Sequence, residues 1–128
     1  MVQSAISPVS LARHPLYARG IQLYEAGEFF TCHELLEELW TPMRGPRRIF
    51  LQALIHFAVA MYHQQRNNPL GAQRQLRKAL RKIEPFAPSY EGLDTARLLA
   101  EGRAALDRIM VDQVAAPPRM LLRSFLDG

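Results

Sequence analysis

The residues RRIFLQALIHFAVAMYHQQR, 47–66, form the longest helical pattern in this chain. Apolar side chains occur at nearly every angle of a 3.6-residue period, so we predict a helix that is buried around most of its circumference. One narrow stripe differs, because it carries Gln52, His56 and His63 with Val59 between them. Such a helix belongs at the centre of the fold, and its polar stripe needs hydrogen-bonding partners from a neighbouring helix.

Four further helices are predicted around this one, because helical periodicity continues in both directions and alternating strand patterns are absent. The five expected ranges are about 15–26, 29–40, 47–66, 70–83 and 95–110, with Gly27 ending the first and Asp94 capping the last. An offset of 40 residues relates the first two helices to the next two and aligns small residues such as Gly20 and Ala60. We therefore expect an all-α fold, a single domain of stacked antiparallel hairpins with the spacing of a tetratricopeptide array.

The composition is that of one soluble domain, since 48% of the 128 residues are apolar. No apolar run approaches the roughly 18 residues of a membrane span, and the N-terminal residues lack the pattern of a secretory signal, so the predicted location is the cytoplasm. The single cysteine, Cys32, lies on the apolar side of its helix and is expected to be an inert buried thiol.

The last segment, residues 111–128, is too short and too rich in proline to fold alone, so the core is expected to span about residues 15–110. The segment nevertheless carries several apolar side chains after Pro117 and Pro118. We expect them to dock on their own domain or on a second copy of the chain. They are Met120, Leu121, Leu122, Phe125 and Leu126.

Charge is distributed unevenly although the net charge is only +4. Five acids and no base lie between Glu25 and Glu38, whereas nine bases and no acid lie between Arg44 and Lys82. On the fourth helix the bases share one face, which indicates a solvated surface or a site for an acidic protein partner. Nucleic acid is the least favoured ligand, because no aromatic residue is interleaved with the bases. These bases are Arg74, Arg77, Lys78, Arg81 and Lys82.

The second helix contains the string CHELLEELW, residues 32–40, which differs from the His-Glu-x-x-His of zinc peptidases because Glu37 replaces the second histidine. His33 and Glu37 are one helical turn apart and can share a hydrogen bond. Since the connection to the central helix is short, we expect this pair to face Gln52 and His56 in one partly buried cluster.

Three interpretations of that cluster remain open. It is a structural polar network, a divalent metal site formed by His33, Glu37 and His56, or a general acid/base pair of His33 and Glu37. His63 is excluded from the metal set because seven residues of helix rise about 10.5 Å. Beside the cluster, Trp40 is expected to anchor the following turn or to stack on a ligand. Glu34 and Glu38 form a solvated face or pair with Arg44, Arg47 or Arg48.

Two stretches together resemble domain-of-unknown-function family 309, a group of small helical prokaryotic proteins. They are AGEFFTCHELLEELW, residues 26–40, and FLQALIHFAVAMYHQQRNNPLGAQRQLRKAL, residues 50–80, and the resemblance extends over about residues 17–99. It implies an all-helical fold and no established activity. His56 stands where the family often has Gln, which weakens an inherited ligand role. The family's motif residues, carried over position by position, are His33, Glu34, Glu37, Trp40, Gln52, His63, Gly71 and Ala72.

These patterns favour a non-enzymatic helical module that binds a protein, a second copy of itself or a small ligand, with no membrane contact. The first alternative is a metal-dependent hydrolase that uses His33, Glu37 and His56. The second is a weak nucleic-acid binder that uses the basic fourth helix. The module needs no cofactor, whereas the hydrolase needs a divalent metal ion.

Overall fold

The computed structural model describes residues 11–123 and confirms the all-helical prediction. The five helices are α1 (Pro15–Glu25), α2 (Phe29–Trp40), α3 (Pro46–Gln65), α4 (Pro69–Ile83) and α5 (Thr95–Met110), each within one residue of its predicted bounds. The structure also contains an antiparallel pair of two-residue strands, β1 (Ser89–Tyr90) and β2 (Leu93–Asp94), which the sequence periodicity did not predict. No helix within residues 11–123 combines the length and apolar character needed to cross a membrane.

Each helix packs on the next along the chain, so α3 lies between α2 and α4. Burial of α3 extends over most of its surface, as its sequence predicts. Large apolar groups on it, among them Phe50 and Phe57, are fully buried, whereas the stripe residues Gln52 and His56 are only half-buried. The position of α3 therefore leaves its polar stripe at the junction with its neighbours.

Local signals account for the ends of the helices. Gly27 and Asn67, at φ +82° and +58°, adopt the left-handed backbone that ends α1 and α3. Asp94 caps α5 as expected, because its Oδ1 accepts the N–H of Arg97 at 3.0 Å. At Gly20 the helices approach closely, since an added Cβ would lie 2.7 Å from Leu36 Cδ2. A small residue is required there, as the 40-residue offset indicates.

The segment after α5 docks on its own chain. Tyr24 Oη donates to the carbonyl of Pro118 at 2.6 Å, and Glu25 accepts from Arg119 Nε at 2.6 Å and from the backbone N–H of Met120 at 2.8 Å. The Met120 side chain is 1% exposed. Further along, Leu122 forms a backbone bridge with Leu93, whereas Phe125 and Leu126 lie outside the described residues.

A chain that ends at Ala116 should unfold more easily than the full chain. Burying a side chain such as Met120 contributes about 1.5–3 kcal/mol, and each lost hydrogen bond about 0.5–1.5 kcal/mol. We expect the free energy of unfolding, measured by urea titration with circular dichroism, to fall by about 3 kcal/mol or more. An unchanged urea midpoint would show that the segment contributes nothing to the fold.

Candidate functional site

The polar stripe of α3 finds its hydrogen-bonding partners on α4. Lys82 Nζ donates to Gln52 Oε1 at 3.1 Å, and His56 Nδ1 lies 2.8 Å from Gln75 Oε1. Because the amide oxygen of Gln75 accepts, Nδ1 of His56 carries the proton. From the sequence we predicted these partners on α2. In the structure they lie on α4, because the long side chains of Lys82 and Gln75 extend to the stripe.

His33 and Glu37 form the expected pair on α2. His33 Nε2 lies 3.4 Å from Glu37 Oε2, and the Glu37 side chain is half exposed. The His33 ring packs against Phe30 at a centroid distance of 5.5 Å. With Phe30, Val59, Tyr62 and His63 it lines an open cavity of about 170 Å³, named here the aromatic cavity.

His63 is fixed by the turn between α3 and α4. Asn68 caps α4, because its Oδ1 accepts the N–H of Gly71 at 3.0 Å, and this orients its Nδ2 toward His63 Nδ1 at 3.2 Å. A Cβ on Gly71 would lie 2.9 Å from His63 Cγ, so the glycine lets the ring approach. The family resemblance identifies His63 and Gly71 as motif residues, and the structure brings them into contact.

A second open cavity, of about 280 Å³, lies on the α4 side of His63 and is named here the basic cavity. His63 lines both cavities, so the two are neighbours along the surface. The residues that line the basic cavity are His63, Asn68, Leu70, Gly71, Arg74, Gln75 and Lys78.

The α4 helix segregates its faces as predicted. Ala72, Leu76, Ala79 and Ile83 are buried, whereas its arginines and Lys78 are exposed. Within residues 11–123 none of the five bases of this face has a carboxylate partner. The face formed by Arg74, Arg77, Lys78, Arg81 and Lys82 is called the basic face below.

Trp40 anchors the turn between α2 and α3. The Arg48 guanidinium carbon lies 3.9 Å from the centroid of the indole ring, and Arg48 also donates to the Trp40 carbonyl at 3.1 Å. Arg47 instead pairs with Glu91 at 2.8 Å. Glu34 and Glu38 therefore remain a solvated face.

Three buried ring nitrogens have no protein partner in the described part of the chain: His33 Nδ1, Trp40 Nε1 and His56 Nε2. A buried polar atom without a hydrogen bond costs about 1–3 kcal/mol. His33 lines the aromatic cavity, His56 belongs to the stripe, and Trp40 lies at the turn between α2 and α3.

Metal-ligating side chains are not clustered in the described part of the chain, and Cys32 is buried. No three His, Cys, Asp or Glu side chains of residues 11–123 are grouped so that they could hold one metal ion, and this includes His33, Glu37 and His56. Cys32 is fully buried, and burial raises the pKa of its thiol to about 12. The polar and aromatic residues that are gathered at the surface lie in and around the two cavities.

Four residues of the site were not predicted from the sequence: Phe30, Tyr62, Asn68 and Gln75. Phe30 lies one helical step of 100° from the buried Phe29, so half of its ring is exposed beside the His33 flank. Gln75 is a polar residue at the edge of the apolar face of α4. Both positions could have been identified from a helical wheel once the order of packing was known.

The hydrogen bond between His56 and Gln75 should appear as coupling in a double-mutant cycle. We expect His56→Ala and Gln75→Ala together to cost less than the sum of the single changes, by about 0.5–1.5 kcal/mol. The measurement is the free energy of unfolding in urea. His56→Ala combined with Arg19→Ala on α1 serves as the control and should be additive, and additivity in both pairs would contradict the bond.

His56 should also make stability depend on pH. Burial lowers the pKa of its imidazole; the Gln75 hydrogen bond opposes this, and Lys82, Lys78 and Arg81 add to it. The unfolded chain therefore binds a proton more readily, so the free energy of unfolding should fall as pH drops through about 6.5. His56→Gln should reduce the difference between urea titrations at pH 7.5 and pH 5.5. If the variant kept the full difference in the free energy of unfolding between the two pH values, the pH dependence would arise from groups other than His56.

Two relatives of this chain carry names that describe no activity. The uncharacterized protein YpuF of Bacillus subtilis is 32% identical over 93 residues, which cover 70% of this chain and 53% of YpuF. An uncharacterized protein of Aquifex aeolicus is 24% identical over 99 residues, which cover 76% of this chain and 28% of that protein. The chain thus matches about half of the first relative and about a quarter of the second.

A crystal structure of a conserved hypothetical protein from Thermus thermophilus has a similar fold. The TM-score is 0.62 at 33% sequence identity, and the alignment covers 71% of this chain and 95% of that one. The family described as "Domain of unknown function (DUF309)" matches residues 17–75, a range that contains the α2 motif, the stripe of α3 and the start of α4. This chain therefore belongs to the DUF309 family.

Proposed function

We propose that the chain is a non-enzymatic helical module that binds an acidic segment of another protein through the basic face of α4. The observation that carries this proposal is that five bases on one helix face have no carboxylate partner within residues 11–123. A concentrated positive surface attracts a negative partner and speeds its association.

The spacing of the bases adds to this argument. Arg74 and Lys78, Lys78 and Lys82, and Arg77 and Arg81 are like-charged pairs four residues apart. Each such pair destabilises a helix by about 0.2–0.5 kcal/mol. Acidic side chains of a partner, placed along the face, would offset this repulsion with attraction. The basic face is therefore stabilised more by an acidic partner than by water.

The shape of the surface favours a polypeptide over nucleic acid. The basic cavity admits a side chain between Arg74 and Lys78, with the N-terminal turn of α4 beside it. No aromatic residue is interleaved with the bases on α4, although base stacking on such residues supplies much of the affinity for single-stranded nucleic acid. A metal-dependent hydrolase has less support, because its three proposed ligands are not grouped.

The test is fluorescence anisotropy with a labelled ten-residue peptide of alternating Glu and Gly. We expect saturable binding at 50 mM salt that weakens at 200 mM, because screening shortens the range of the attraction. Arg74→Glu should raise the Kd about three- to tenfold, a change of about 0.7–1.4 kcal/mol. Arg19→Glu makes the same change of charge at an exposed position of α1 and should have a much smaller effect.

Two results would contradict the proposal. One is equal weakening by Arg74→Glu and Arg19→Glu, since this would assign binding to net charge alone. The other is tighter binding of a ten-residue oligothymidylate than of the peptide under the same conditions. Circular dichroism of the triple variant Arg74→Glu, Arg77→Glu and Arg81→Glu serves as the folding control, because these exposed side chains should be replaceable without loss of the fold.

A further inference from the structure

The aromatic cavity lies against the basic face and has a different chemistry. Phe30 and Tyr62 form its walls with ring centroids 5.3 Å apart, and Val59 contributes an aliphatic surface. Phe30 is 48% exposed although it is a large apolar side chain. Phe30 thus presents part of its ring at the edge of an apolar cavity, next to the bases of α4.

The size of the aromatic cavity suits one ring. Its volume is about 170 Å³. An apolar cavity of roughly 150 Å³ in another protein accommodates benzene. The rings of Phe30, His33 and Tyr62 pack on one another and line the open cavity, so an added ring can pack on them in the tilted or edge-to-face arrangement that aromatic pairs prefer.

His63 connects this cavity to the bases. Its Nδ1 accepts from Asn68 Nδ2, so the neutral ring carries its proton on Nε2. His63 Nε2 has no hydrogen-bonding partner within residues 11–123, and the atom is not buried. His63 Nε2 is thus a donor that solvent can reach, between the aromatic cavity and the cationic side chains of Arg74 and Lys78.

We propose that the acidic segment carries an aromatic side chain that occupies the aromatic cavity, with a carboxylate two or three residues away on His63 and Arg74. This inference rests on the proposed function, because the bases of α4 supply the attraction for the acids. The short spacing follows from the shared His63, since an extended chain advances about 3.3 Å per residue and the cavities are separated by one side chain.

The described residues of a second copy fit the cavity less well than an aromatic side chain of a partner does. The exposed large apolar side chains of residues 11–123 are Phe30, Ile49, Leu70, Met110, Val111 and Val114. Phe30 is the single ring among them, and it already forms the wall of the cavity. From its described residues a second copy would therefore offer an aliphatic side chain, whereas Phe125 lies outside them, so the sedimentation experiment below tests a second copy as the occupant.

The test compares three labelled peptides on the full chain: Gly-Glu-Gly-Glu-Phe-Glu-Gly-Glu-Gly, the same peptide with Phe→Ala, and the same peptide with every Glu→Gln. We expect the first to bind at least about tenfold more tightly than the second, because burial of a phenyl group contributes to affinity in this range. The third should bind weakly and without dependence on salt.

Protein variants locate the ring. Phe30→Ala should remove most of the gain that the Phe peptide has over the Ala peptide. Ile49→Ala is the matched control, because Ile49 is 49% exposed and lies outside the cavity. Its Kd ratio for the two peptides should equal that of the native chain. Equal loss in both variants, or no loss in Phe30→Ala, would overturn the assignment of the ring to this cavity.

The outcomes separate this inference from the proposed function. If both acidic peptides bind equally and Arg74→Glu weakens both, the proposed function stands and the aromatic anchor is wrong. If neither acidic peptide binds, the proposed function fails. Sedimentation of the chain alone provides the remaining arm, because a dimer that Phe30→Ala dissociates and Ile49→Ala leaves intact would show that a second copy occupies the cavity.

Discussion

The burial of α3 between α2 and α4 is the constraint on which the rest of the structure depends. Its apolar side chains pack on both neighbours, and α4 buries its own apolar face, Ala72, Leu76, Ala79 and Ile83, in the same core. This burial sets the rotation of α4 about its axis, and in that rotation Lys82 and Gln75 bond to Gln52 and His56. That rotation turns the remaining bases of α4 to solvent.

The candidate site follows from this arrangement. The α3 stripe ends at His63, where the capping turn at Asn68 fixes the imidazole and Gly71 allows it to approach α4. On one side of that ring lie Phe30 and Tyr62, and on the other lie bases that have no acidic partner within residues 11–123. The proposed recognition of a short acidic and aromatic sequence rests on this combination of one apolar cavity with adjacent cations.

The family match covers the aromatic cavity completely and the basic face only in part. The matched range, residues 17–75, contains every residue of the aromatic cavity but ends after the first turns of α4, so Arg74 is included and Lys78 is not. The two relatives are longer than the region they share with this chain. The aromatic cavity is therefore the part of the site to compare first with the Thermus thermophilus structure.

The sequence by itself determined the five helices, their ends, the central position of α3 and the exposed bases of α4. These depend on local properties: a period of 3.6 residues, capping groups, and the positions of glycine and proline. Only the tertiary structure decided that α4 rather than α2 satisfies Gln52 and His56, that Glu25 holds the C-terminal segment, and that His63 lies between two cavities. Such pairings depend on how each helix is rotated against its neighbour and on the reach of long side chains, and neither quantity is encoded in the spacing of residues along one helix.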